Sequence, residues 1–355
     1  MREKDNVKLI ICVITILSLV LGMRIIMNKD NKSVEKTFIQ INGLRQGMFI
    51  ECRDINNPVL LFLHGGPGFP VFGMTKKHPT HLEEHFTVCW WEQRGAGISY
   101  NKNINPNDLT VENIVSDAIE VTNYLRKRFD KEKIYLIGQS GGTLIGINLV
   151  KEKPELYYAY IAVAQMVNQL KSEKIAYSYM LEQYHNANNK KMVKRLDENN
   201  ILSLDIIPKN YAEFRDKPMH ELGIGSMHVM KSVITGIFFP IMENNAYTFS
   251  EKINIWKAKS VYYHKTNLWE VISQTVISNE ITAIDLPIYF LHGVYDYTVN
   301  YSLAKKYYQL LESPLKGFYT FENSAHSPIF EEPEKVIKIL LEDVLKSNNN
   351  NSDKI

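Results

Sequence analysis

Only three cysteines occur in the chain, at positions 12, 52 and 89. They are too few and too scattered for a disulfide framework or a zinc site. Cys89 sits inside an apolar run and reads as a small buried hydrophobe. Charge of one sign is equally scarce: 41 Lys and Arg against 39 Asp and Glu leave a net charge of +2, with both signs interspersed. Nothing in that balance suits nucleic acid. No internal repeat is apparent, which sets repeat architectures aside. Long apolar runs are missing too, with one exception at the N-terminus.

Residues 9–23 (LIICVITILSLVLGM) carry no charge, and Ile25, Ile26 and Met27 extend the run past Arg24. The run 9–27 is just long enough to span a lipid bilayer with Arg24 snorkelling. No small-x-small cleavage site follows it, so an uncleaved anchor is favoured over a removed secretory signal. Cys12 lacks the small preceding residue and upstream apolar core that lipidation requires. Arg2, Lys4 and Lys8 on one side face Arg24, Lys29, Lys32 and Lys36 on the other, so charge gives little orientation. The expectation is a single membrane-anchoring helix with the main domain outside the cytoplasm; a secreted protein is the alternative.

What is present is an alternation of strands and helices. Residues 37–42 and 45–52 flank Asn42-Gly43-Leu44 as a hairpin. Residues 59–63 (VLLFL) and 86–91 (FTVCWW) are short continuous apolar runs, as in strands buried on both faces. Residues 111–129 place Val111, Ile114, Val115, Ala118, Thr122 and Leu125 on one helical face. A strand (134–137), a helix (140–150) and a strand (158–164) follow. From 165 to 280 the rhythm changes to long aromatic- and Met-rich helical stretches. It then resumes with strands at 288–291 and 317–321 and helices at 302–311 and 334–345. This order predicts a mostly parallel central sheet covered on both faces, with a helical lid insertion. The domain limits are 1–36 (anchor or signal and linker), 37–164 (core), 165–280 (lid), 281–346 (core) and 347–355 (a polar, disordered tail).

Gly138-Gln139-Ser140-Gly141-Gly142 stands directly between strand IYLI and a helix. A serine on so sharp a turn needs small residues two positions either side, and the turn lifts its hydroxyl out of the sheet. His64-Gly65-Gly66-Pro67-Gly68 follows strand VLLFL. Its backbone N–H groups can approach a substrate oxygen, and Gly66 with Gly141 would form an oxyanion hole. His64 reads as a residue that holds this loop. A hydroxyl needs a base and an acid that orients the base. Asp296, after strand IYFL, and His326, after the strand at 317–321, emerge from the same sheet edge as Ser140. His292 and Glu322 are the nearest substitutes. A competing motif, His81-Leu82-Glu83-Glu84-His85 with His78 one turn earlier, matches the H-x-x-E-H pattern of inverted zinc peptidases. It lies where a surface helix is expected and lacks a distant third ligand, so a solvated helix is the better reading.

HGGPG, Gln93-Arg94-Gly95-Ala96-Gly97-Ile98-Ser99, GQSGG, Asp296 and His326 resemble the α/β-hydrolases related to proline iminopeptidase, over about residues 37–345. The resemblance implies an α/β-hydrolase fold and a Ser140-His326-Asp296 triad acting through an acyl-enzyme, with no metal or organic cofactor. Such an enzyme would be aminopeptidase-like or a carboxylesterase, taking a small-molecule ester or a short peptide. An acyltransferase using the same triad and a catalytically silent binding protein are the alternatives. Departures are Glu92 where the family usually has Asp, and Gly141 where it usually has Trp after the nucleophile. The family also carries lid carboxylates that hold the substrate's amine, and Glu243 is the candidate here. The lid aromatics Tyr177, Tyr179, Tyr184, Phe238, Phe239 and Trp256 suit an apolar pocket lining and equally a core internal to the lid.

Overall fold

The computed structural model describes residues 33–354. The apolar run 9–27 and Cys12 lie outside the described residues. Among the described residues no helix is long and apolar enough to cross a membrane.

The described residues open with a hairpin because Asn42 and Gly43 both take positive φ, 47° and 77°. Such a two-residue turn matches the natural twist of paired strands. It joins β1 (Ser33–Ile41) to β2 (Leu44–Cys52) in antiparallel register. Strand β1 starts four residues earlier than its pattern predicts. Ser33, Val34, Glu35 and Lys36 have no apolar alternation and are drawn into the sheet by pairing with Phe49 to Cys52.

β3 (Val59–Leu63), β4 (Thr87–Glu92), β5 (Ile134–Gln139), β6 (Tyr157–Val163), β7 (Ile288–Gly293) and β8 (Lys316–Phe321) complete an eight-stranded sheet ordered β1-β2-β4-β3-β5-β6-β7-β8. Strand β2 is antiparallel to both neighbours, and from β4 to β8 every pairing is parallel. Parallel neighbours require crossovers. Helices α1 (Val111–Arg128) and α2 (Gly141–Glu152) supply two of them.

Between β6 and β7 the chain leaves the sheet and builds a cap over its edge. The cap comprises α3 (Gln169–Asn186), α4 (Lys190–Asp197), α5 (Lys209–Leu222), α6 (Phe239–Glu243), α7 (Phe249–Lys265), α8 (Leu268–Gln274) and α9 (Ile277–Glu280). Helices α10 (Tyr301–Leu310), α11 (Pro328–Glu331) and α12 (Pro333–Ile339) follow β7 and β8.

Strand periodicity divides the interior. Val59, Leu61 and Leu63 of β3 share a core with Ile114 and Ala118 of α1, whereas Leu60 and Phe62 share one with Val336 and Ile339 of α12. Each such fully buried side chain contributes roughly 2 kcal/mol. The cap has a core of its own, containing Tyr177, Tyr184, Met192, Tyr211 and Trp269. Tyr177 and Tyr184 therefore belong to the cap interior rather than to a pocket lining.

The tail, expected to be disordered, is instead fastened to β8, an edge of the sheet. Ser352 Oγ accepts from Phe318 N–H (2.9 Å), Asp353 N–H donates to Phe318 O (2.8 Å), and Asp353 Oδ2 accepts from Thr320 N–H (3.0 Å). Its Ser, Asn and Asp content reads as solvated. Those same side chains serve as caps for edge backbone groups that would otherwise be unpaired.

Candidate active site

Strand β5 ends in the GQSGG turn. Ser140 is forced to φ 56°, ψ −125°, and its N–H is tied to Val163 O at 3.0 Å. The two outer glycines are dictated by space. A Cβ on Gly138 would stand 2.8 Å from Gly142 O, and one on Gly142 would stand 2.1 Å from Leu63 O. Gly141 has room, since a Cβ there would first meet Gly66 N at 3.5 Å. The HGGPG loop thus rides directly on the serine turn. A Cβ on Gly65 would touch Ser140 Cβ at 2.8 Å. The Gly66 and Gly141 amides consequently lie next to one another beside Ser140.

His64 holds this loop in place. Its Nδ1 donates to Gly65 O (2.9 Å), and its Nε2 accepts from Gln93 N–H (3.1 Å). Burial pulls its pKa down to about 4, opposed by the Gly65 bond, so the ring is neutral and both nitrogens are occupied.

The loops after β7 and β8 meet. His326 Nδ1 lies 2.9 Å from Asp296 Oδ2, and Asp296 is completely buried. Asp296 Oδ1 accepts from Val299 N–H at 2.8 Å, and His292 Nε2 approaches Oδ2 at 3.2 Å. Burial opposes ionisation of Asp296. The His326 charge and the hydrogen bonds from His292 and His326 outweigh it and hold the carboxyl at about 2. The His326 loop is braced on both sides: His326 N–H donates to Gly225 O of the cap, and Gln139 Nε2 donates to Ser327 Oγ.

Ser140, His326 and Gly66 line one cavity of about 210 Å³. Asp296 stands behind His326. The Ser140 hydroxyl has no hydrogen-bond partner among the described residues; in a ligand-free site such bonds are often formed only with substrate. Cap residues close the cavity, including Met227, Ile237 and Trp256. Phe238 packs on the Trp256 ring at 5.5 Å, while Phe239 is exposed.

Two expectations need correction, and one substitute is set aside. Glu243 is exposed and absent from the cavity wall; its engaged atom is the carbonyl, which accepts from Lys76 Nζ. Glu322 is exposed as well. The H-x-x-E-H segment forms no α-helix. His81 sits at φ 57° and Leu82–Glu84 make one short turn, so the two histidines do not share a helical face. His81 Nδ1 instead bonds Glu84 at 3.1 Å. Among the described residues no group of three or more His, Cys, Asp and Glu is placed to hold a metal.

The acidic residue in the cavity lining is Asp216 of α5, next to Arg215. The pattern alone hides it. Tyr211, Arg215 and Met219 occupy successive buried positions of one helical stripe, so the one legible signal was an arginine at a core position.

Glu92 at the end of β4 fastens the cap to the sheet. It is buried, accepts from Ile98 N–H at 2.6 Å, and accepts from the hydroxyl of Tyr247 in the cap. Burial pushes its carboxyl from 4.5 up to about 7, against those two bonds. The folded state thus keeps a proton that the unfolded chain gives up. That contribution falls away as pH rises from about 4.5 to about 7. Glu92→Gln removes the titration. The stability difference between variant and wild type should shift by about 3 kcal/mol across this window, read by urea unfolding at both ends. A difference that does not change with pH would refute the assignment.

Residues 58–333 match the family model of the alpha/beta hydrolase fold. The chain belongs to that family. This hydrolase is 30% identical over 302 residues to the probable aminopeptidase YbaC of Bacillus subtilis (strain 168), covering 83% of this chain and 91% of that one. Its fold is similar to that of a proline iminopeptidase from Mycobacterium smegmatis (TM-score 0.64, 14% identity, 88% of this chain and all of that one). It is also similar to a proline iminopeptidase-related protein from Thermus thermophilus (TM-score 0.57, 18% identity, 87% and 98%).

Proposed function

We propose that this hydrolase cleaves a small ester or an N-terminal peptide amide through an acyl-enzyme, with Ser140 as nucleophile, His326 as base and Asp296 as the acid that orients it. The observation carrying this reading is the 2.9 Å contact of His326 Nδ1 with buried Asp296, on a ring that shares its cavity with Ser140. With Nδ1–H held by the carboxylate, Nε2 is the basic nitrogen and takes the hydroxyl proton as Ser140 attacks the carbonyl carbon. The Gly66 and Gly141 N–H groups then face the oxyanion, each worth about 3 kcal/mol in the transition state. His326 returns the proton to the leaving alcohol or amine, and water repeats the sequence on the acyl-enzyme.

Similarity to a probable aminopeptidase favours the amide branch. Asp216, half-buried at the cavity wall and without an ion pair among the described residues, is placed to hold a substrate's free amine. Alanyl p-nitroanilide, its N-acetyl form and p-nitrophenyl acetate test the reading together. An aminopeptidase turns over the free amine at least about tenfold faster in kcat/KM than the acetylated form. An esterase turns over the ester alone. Folded protein that hydrolyses none of the three, and does not react with a fluorophosphonate, would sink the proposal.

A further inference from the structure

The cap carries a buried charge pair that the reaction just described leaves unused. Glu173 on α3 is 0% exposed and Arg215 on α5 is 9% exposed. Arg215 Nε stands 3.2 Å from Glu173 Oε1 but out of line for a hydrogen bond. Gln169 Nε2 donates to Glu173 Oε1 (2.9 Å) and to Thr298 O (2.8 Å). Gln169 Oε1 and Glu173 Oε2 are buried without hydrogen-bond partners. The hydrogen bond the guanidinium does donate runs from Nη1 to Met219 Sδ at 3.0 Å, and a thioether is a weak acceptor. Among the described residues, then, Arg215 meets no oxygen in hydrogen-bond geometry.

Glu173 balances the charge of Arg215 at 3.2 Å, yet Nε is buried without a hydrogen bond and Nη2 has no partner among the described residues, so the guanidinium keeps donors for a further acceptor. Arg215 lines the cavity of Ser140 and His326, with Thr298 beside it. Lys259 lines the same cavity, its Nζ 5.6 Å over the Phe69 ring. A planar fork of donors backed by a second cation matches a carboxylate better than any neutral group, and Asp216 on the same wall is left to the substrate's amine.

We propose that Arg215, aided by Lys259, binds a carboxylate of the substrate, so that this hydrolase prefers acid-bearing substrates to their neutral counterparts. The assignment rests on Ser140's cavity being the site of hydrolysis. The carboxylate belongs either to the acyl group, as in a half-ester of a dicarboxylic acid, or to the leaving group, as in a short peptide with a free C-terminus. Two substrate pairs separate these sources: mono-p-nitrophenyl glutarate against p-nitrophenyl valerate, and Ala-Ala against Ala-Ala amide.

Removing Arg215 alone would strand Glu173, so the informative variant is Glu173→Gln with Arg215→Met, compared with Glu173→Gln. In at least one pair, the ratio of kcat/KM for acid over neutral substrate should fall by about tenfold or more when Arg215 is lost. The pair that responds identifies the side of the scissile bond. Ratios unchanged in both pairs would overturn the proposal. A second measurement does not require turnover: millimolar glutarate should raise the melting temperature of Glu173→Gln and not that of the double variant. Equal shifts in the two, or none in either, would also overturn it. If the wild type cleaves none of these substrates and escapes fluorophosphonate labelling, the hydrolase reading fails, and the glutarate comparison decides the carboxylate site by itself.

Discussion

Ser140→Ala is expected to fold normally and to lose hydrolysis by a factor of about 10⁶ in kcat, the scale on which removal of a serine nucleophile disables a triad. The fold should survive because the substitution takes away one oxygen and keeps the Cβ. The turn's conformation at φ 56°, ψ −125° is held by Ser140 N–H on Val163 O and by the packing of Gly142 on Leu63, neither of which involves the hydroxyl. Fluorophosphonate labelling should vanish in parallel. Activity that persists near the wild-type level would move the nucleophile to another residue. Loss of labelling together with a collapsed melting temperature would say nothing about chemistry, so both are measured on the same preparation.

Asp296→Asn is the second large effect, with an expected loss of about 10⁴ in kcat and little change in KM. The asparagine amide can turn its N–H₂ toward His326, which favours the tautomer with a proton on Nε2. A base already protonated there cannot accept from Ser140. The same substitution has a thermodynamic signature. Asp296 is held at about 2 against an ordinary 3.8, so its ionised form stabilises the fold at pH above 3.8, and that contribution is lost as pH falls through about 2. The amount is about 2 kcal/mol. The wild type should therefore lose its advantage over the variant between pH 4 and pH 2 in urea unfolding. Asp296→Asn that keeps activity to within about tenfold would mean that another group orients His326.

Much of the candidate site's placement was legible because strand ends announce themselves. The runs VLLFL and FTVCWW became β3 and β4, and each loop bearing Ser140, Asp296 and His326 follows a strand that is almost wholly buried. Spacing then needs only the rule that parallel strands release their loops at one edge. The cap was harder to read. Its helices have no sheet to set their register, and an acidic side chain facing a cavity has the same letter as one facing water. Glu243 and Asp216 illustrate this: the former is exposed, the latter lines the cavity. Glu92 was visible as a departure from the family's Asp. What the departure does was not visible, because Tyr247, its partner, lies 155 positions away.

The tail on β8 has a consequence for behaviour in concentrated solution. A sheet margin with free amides and carbonyls invites a second molecule to add a strand, and such additions propagate into fibres or precipitate. By occupying Phe318 and Thr320 with Ser352 and Asp353, the chain covers that margin with a segment of its own. A few polar residues therefore stand where a second molecule's strand would have to pair with β8.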